Sequence, residues 1–177
     1  MNKTIVNKIR ENINEEEIFK LISELVSIPS YFGLPSQETA VAEYIHNFLK
    51  FEGIQSEIVP VIDGRSNIIA RVKGSGEGPS LMLTGHTDTV PPYDMITNLF
   101  KVEIKDGNMY GRGVVDMKGP LACMLMAIVT IKRLGIKLKG DLVFAGVIGE
   151  ETKSEGTINL LESGLRTDAA IVGEPTE

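Results

Sequence analysis

The segment LVFAGVIGEE, residues 142–151, constrains this chain more than any other. Its apolar run suits a strand built for burial and falls well short of the roughly 18 residues that span a membrane. The run stops at two adjacent acids, Glu150 and Glu151. Like charges side by side repel, and burial strengthens the repulsion. Either both carboxylates face water, or a positive charge sits between them.

The rest of the chain supplies a setting for such a strand. Asn14 followed by Glu15, Glu16 and Glu17 reads as a helix start, with a capping side chain and acids at the positive end. That helix runs to about Val26, and Ser36 opens a second one, stopped at Gly53. The period then changes. Residues 56–61, 67–72 and 80–84 read as strands, and residues 101–104 and 109–110 flank Asp106-Gly107, a hairpin signal. Residues 121–134 form a buried helix, 157–161 a short helix and 169–172 a last strand. Alternating strands and helices with short connections predict a single α/β domain, a mostly parallel mixed sheet covered by helices.

Charge and cysteine usage narrow the partners. Acids outnumber bases 24 to 18, and the net charge of −6 argues against nucleic acid, which rewards basic patches. The N-terminal stretch MNKTIVNKIRENINEEE lacks the uninterrupted apolar region of a secretory signal. The single cysteine, Cys123, excludes an intramolecular disulfide framework, and the cytoplasm is the expected compartment.

Three apolar strands end in ligand-type side chains: His86 and Asp88, Glu150 and Glu151, and Glu174. Ligands of open α/β sheets bind at the carboxyl ends of strands. Asp116, just before the long helix, is a fourth candidate segment. One imidazole with several carboxylates suits zinc, with manganese or cobalt as alternatives, and a set this acidic favours two ions over one. Glu151 then points inward as a ligand and Glu150 faces an open coordination position as a general base. A bound cation turns their repulsion into attraction. Other features read as structural: Gly111 and Gly113 lack the rest of a phosphate loop, Cys123 reads as a small core residue, Met124 and Met126 as core packing, and His46 as a surface or boundary residue.

Four ordered blocks carry a family resemblance: GHTDTVPP (residues 85–92), YGRGVVDMKGPLACML (110–125), GEETKSEGT (149–157) and IVGEPT (171–176). Together they resemble the M20 metallopeptidases, which include acetylornithine deacetylase, succinyl-diaminopimelate desuccinylase, aminoacylase-1 and carboxypeptidase G. The resemblance implies that His86 and Glu174 bind one metal, Glu151 the other, and Asp116 bridges both. It implies that Asp88 orients His86, that Glu150 is the general base, and that the Asp116-Met117 peptide bond is cis. It further implies a zinc-peptidase-like catalytic domain, an N-acyl amino acid or small peptide as substrate, and a homodimer in the intact protein.

Two positions depart from the family pattern. Gly149 stands where the family commonly has an acid, and the family's last metal-binding histidine, which follows a lid and dimerisation domain, has no counterpart before the chain ends at Glu177. Residues 1–177 are therefore expected to be the N-terminal part of a catalytic domain, lacking the lid and the C-terminal segment, and inactive or nearly so alone. The competing readings are a desuccinylase or dipeptidase, a metal-binding homologue without catalysis, and a metal-free hydrolase using Glu150 and Asp116 as acid and base. Glu150 argues against the second, since a purely structural site has no use for an unliganded acid, and the His86-Thr87-Asp88 block argues against the third.

Overall fold

The structure, a computed structural model, describes residues 3–95 and 98–176. In chain order the elements are α1 (Lys3–Glu11), α2 (Glu15–Val26), α3 (Thr39–Phe51), β1 (Gln55–Ile62), β2 (Arg65–Val72) and β3 (Leu81–His86). They continue with β4 (Glu103–Lys105), β5 (Asn108–Tyr110), α4 (Lys118–Arg133), β6 (Leu142–Val147), α5 (Glu155–Glu162) and β7 (Ala169–Val172).

Local chemistry accounts for most of these boundaries. The Asn14 side chain accepts hydrogen bonds from the amides of Glu16 and Glu17 at 3.0 and 3.2 Å, satisfying two of the donors that a helix start leaves free. Asp106 and Gly107 both adopt positive φ, the backbone that a two-residue hairpin between β4 and β5 requires. α3 begins three residues later than Ser36, after a turn. Helix α1 was not expected from the sequence. Ile5, Val6 and Ile9 lie on one side of it, but none of them is buried.

Five strands form one sheet in the order β1-β2-β6-β3-β7. β3 runs parallel to both β6 and β7, whereas β2 runs antiparallel to its neighbours β1 and β6. Only β2 is therefore reversed, and the sheet is mixed as expected, with two parallel and two antiparallel neighbour pairs. β6 is buried throughout, and its side chains alternate between two cores. Leu142 and Phe144 pack with α2, α3 and α4 on one face, while Val143, Ala145 and Val147 join Leu160 of α5 on the other. β7 lies at the sheet edge, with Ile171 and Val172 more than half exposed despite their apolar character.

The register positions the strand ends. Pairing aligns His86 with Val147, so the residues following β3 and β6 emerge side by side at the same edge of the sheet. The Thr87 amide and hydroxyl both donate to the Val147 carbonyl, at 2.8 and 3.1 Å, and extend that alignment past the last strand residue.

Phe144 is fully buried and Phe51 is 88% exposed. Phe144→Ala is expected to lower stability by about 3–5 kcal/mol through lost burial and a cavity. Phe51→Ala is expected to change it by no more than about 0.5 kcal/mol. Urea denaturation of the two variants checks both.

Candidate metal centre

His86 closes β3 and is 1% exposed. Its Nε2 faces three carboxylates: Asp116 Oδ1 at 2.9 Å, Glu174 Oε1 at 3.6 Å and Glu150 Oε2 at 3.9 Å. Two sets, His86–Asp116–Glu151 and His86–Glu150–Glu174, each hold their potential ligand atoms within 4.8 Å of one another. The sets share His86, so the geometry gathers five residues from four segments into one cluster. It does not divide them into the pairs that the family resemblance implies, because Nε2 faces Asp116, Glu150 and Glu174 alike.

Each segment is delivered by a specific backbone feature. Glu174 follows β7, and the Gly173 amide donates to the Thr84 carbonyl of β3 at 3.1 Å. Asp116 sits in the loop before α4, and the Asp116-Met117 peptide bond is cis. Glu150 and Glu151 follow β6 in a turn whose amides bond Asp88. Asp88, only 3% exposed, accepts from the Glu150 amide at 3.2 Å and from the Glu151 amide at 3.0 Å. Its carboxyl also lies 3.4 Å from His86 Nδ1, which donates to the Asp88 backbone carbonyl at 2.9 Å. One buried carboxylate thus ties the imidazole to the backbone of the paired glutamates. The ring is left with Nε2 aimed at the acids, the arrangement that orients a metal-binding histidine.

Electrostatics express the crowding. Burial opposes charge on His86, but the hydrogen bond and charge of Asp88, followed by Asp116 and Glu174, outweigh it and raise the imidazole to about 9. Burial raises the Glu151 carboxyl, and neighbouring Asp116 adds to the shift. Glu174 is likewise raised, by burial and then by the charges of Glu150 and Asp116 against the opposing pull of His86. Among the described residues, Asp116, Glu150, Glu151 and Glu174 form no ion pair with lysine or arginine. Four carboxylates around one imidazole, with no other counter-charge paired to them among the described residues, are a donor set that fits a divalent cation.

Behind the cluster lies a polar frame that the sequence did not single out. Glu38 and Arg65 form a buried two-pronged ion pair, with Nε and Nη2 donating to the carboxylate at 2.8 and 2.6 Å. The same carboxylate accepts the Gly149 amide at 3.2 Å. Asn67 accepts the Ile148 amide at 3.1 Å and donates to the Gly156 carbonyl at 2.9 Å. Both ends of the loop carrying Glu150 and Glu151 are therefore fastened. Lys118, fully buried, donates to the Leu25 and Ile28 carbonyls at 3.0 and 2.6 Å, placing its ammonium at the negative end of α2. Burial lowers it to about 7, against the opposing charge of Asp88. A polar Asn67 leading into the apolar stretch IIA was the available signal for this frame; Glu38 and Arg65 gave none.

Four side readings meet the structure differently. Gly149 has φ +71°, and a side chain there would run into Glu155 and Arg65, so glycine suits the position for steric reasons. Met124 and Met126 are buried, as expected. Cys123, expected in the core, is exposed: α4 turns it outward while Ala122 and Met124 face inward. His46 is half-buried on α3, 3.0 Å from the Ser56 hydroxyl, and takes no part in the cluster.

A mixed α/β sheet with an imidazole and carboxylates gathered at its strand ends defines an architecture suited to metal-dependent hydrolysis. The sequence profile of peptidase family M20/M25/M40 matches residues 82–177, and the chain belongs to that family. It is 36% identical over 167 residues to an N-formyl-4-amino-5-aminomethyl-2-methylpyrimidine deformylase of Halalkalibacterium halodurans, covering 91% of this chain and 39% of that protein. It is 34% identical to a probable succinyl-diaminopimelate desuccinylase of Staphylococcus epidermidis, covering 93% of this chain and 40% of the relative. Among solved structures, a tripeptidase from Staphylococcus aureus superposes with a TM-score of 0.75 at 26% identity, over 93% of this chain and 44% of that one. Human carnosine dipeptidase 1 shares the fold, with a TM-score of 0.77 at 20% identity over 94% of this chain and 40% of that one. The chain thus spans about 40% of the length of the curated relatives it matches.

A pKa raised on folding stabilises the protein below the ordinary value of 6.5, and that contribution is lost as pH climbs to about 9. The stability difference between wild type and His86→Gln in metal-free buffer is therefore expected to shrink over this window. Lys118, shifted the opposite way, cancels in the difference. Thermal unfolding of both proteins from pH 6 to 9.5 provides the measurement.

Proposed function

We propose that the chain supplies the N-terminal part of the catalytic domain of a metal-dependent amidohydrolase. Its substrate is the amide of an N-acyl amino acid, in the manner of acetylornithine deacetylase, or of a small peptide. The observation that carries this reading is the imidazole of His86 facing Asp116, Glu150 and Glu174, with Glu151 in the same cluster, in a chain of the M20/M25/M40 family. The relatives' names, deformylase, desuccinylase and tripeptidase, support removal of an acyl or peptidyl group by hydrolysis.

In this reading His86, Asp116, Glu151 and Glu174 hold the metal. Zinc is the expected ion, two per intact site, with cobalt or manganese as substitutes. When bound, such an ion supplies Lewis acidity that polarises the amide carbonyl and favours deprotonation of water. The remaining chemistry belongs to side chains. His86 keeps its Nδ1 proton on the Asp88 carbonyl, so Nε2 is the nitrogen offered to the site. Asp88 holds the glutamate turn by its two amides, which leaves the Glu150 carboxyl, 45% exposed, free to move a proton. Glu150 accepts a proton from the attacking water and returns it to the departing amine nitrogen. The proposal includes a homodimer in the intact protein and a cytoplasmic setting. Among the described residues, no helix is long and apolar enough to cross a membrane.

Glu150→Ala in the intact enzyme is expected to remove at least about 10²-fold of turnover while leaving metal content unchanged. Residual turnover near wild type would assign the proton transfer elsewhere. Residues 1–177 alone are expected to retain at most one tightly held zinc and little or no activity. Elemental analysis after chelator competition checks this, and two tightly held ions per chain would overturn it.

A further inference from the structure

β7 delivers Glu174 to the cluster, yet burial does not hold this strand in place. Ala169, Ala170, Ile171 and Val172 are all exposed, and none of them belongs to either core. Among the described residues, β7 pairs only with β3. Register is specified where an apolar pattern must face a core, and a strand with no buried face lacks that control. The amide–carbonyl bonds of the ladder do not replace it, because they re-form equally well in a shifted pairing. A shift of one residue would move Glu174 by about 3.3 Å and turn its side chain to the other face of the sheet. Its carboxylate lies 3.6 Å from His86 Nε2, so either change would take it out of the cluster.

A polar clamp at the opposite end of the strand supplies the missing control. Ser80 and Asp168 immediately precede β3 and β7, and three hydrogen bonds join them. The Ser80 amide and hydroxyl donate to Asp168 Oδ2 at 2.7 and 2.8 Å, and the Asp168 amide donates to Ser80 Oγ at 3.0 Å. The Ser80 amide, then its hydroxyl, hold the Asp168 carboxyl below its ordinary range. Unlike the ladder, these bonds need two particular side chains and exist in one register only. Gly173 adds a weaker restraint. A side chain there would run into the methyl ends of Met124 and Met117, which are flexible and can yield.

We infer that Asp168, through Ser80, is a positioning residue for Glu174. It fixes the register of β7 and so holds a carboxylate beside His86 from six residues away, about 20 Å along an extended strand. The consequence for metal binding rests on the function proposed above; the control of register does not.

Hydrogen exchange and metal binding, measured on the same variants of this chain, separate the two. The Gly173 amide donates to the Thr84 carbonyl at 3.1 Å and reports whether the far end of β7 keeps its pairing. In metal-free chain, Asp168→Ala is expected to speed its exchange about tenfold, the scale of hydrogen bonds to a charged group, with the Phe144 amide of β6 unchanged. Ser80→Ala removes two of the three bonds and is expected to give a smaller increase. Asp168 is exposed, so its replacement leaves both cores intact. Cobalt(II) is then titrated and followed by visible absorption. Asp168→Ala is expected to weaken its binding about tenfold, but by no more than about twofold in a Glu174→Gln background, a dependence that general loosening of the sheet would not show. Unchanged Gly173 exchange in Asp168→Ala, or an equal loss of cobalt affinity with and without Glu174, overturns the inference. Faster exchange with cobalt binding unchanged, or undetectable in the wild type, supports the control of register and overturns only the metal role proposed for Glu174.

Discussion

The parallel pairing of β3 with β6 is the constraint on which the rest of this structure depends. It aligns His86 with Val147 and so brings the polar residues after both strands to one edge of the sheet. A slip of one residue would turn every side chain of β3 to the opposite face and carry His86 away from the acids. Burial of β6 on both faces makes that slip costly, since Phe144 and Val143 occupy different cores. The packing of the apolar run therefore fixes the geometry of a charged cluster that contributes no apolar contact to it.

Asp88 converts this alignment into a site. As a buried carboxylate between His86 and the amides of Glu150 and Glu151, it holds an imidazole and a backbone turn with one side chain. Glu38 with Arg65, Asn67 and Lys118 perform similar work further out, each satisfying backbone groups that belong to different elements. The result is a rigid frame around acids that repel one another. Their repulsion is a cost in the metal-free chain and a source of affinity once a cation sits among them.

The contrast between Arg65 and Arg112 follows from the same frame. Arg65 is paired with Glu38 in that frame, whereas Arg112 donates to the Pro91 carbonyl and the Met95 sulfur. The apolar edge strand β7, exposed on Ile171 and Val172, carries Glu174 into the cluster while contributing little to either core.

Much of this was legible in the sequence, and the boundary has a physical cause. Periodicity and capping chemistry are local, so the Asn14 cap, the Asp106-Gly107 hairpin, the buried run at 142–148 and the residues placed at strand ends could all be read from neighbouring residues. Helix α1 escaped because Ile5, Val6 and Ile9 stand among charged and polar residues in a helix of only 9 residues, and Cys123 was misassigned because an apolar helix buried on much of its circumference gives little sign of its outward face. The sequence by itself determined the elements and the kinds of side chain available for chemistry. Only the tertiary structure decided that His86 meets acids from three other segments, that Glu38 reaches Gly149 and that Lys118 reaches the carbonyls at the end of α2. Those contacts join residues far apart in the chain, and strand order and register, which no local propensity encodes, determine which of them meet.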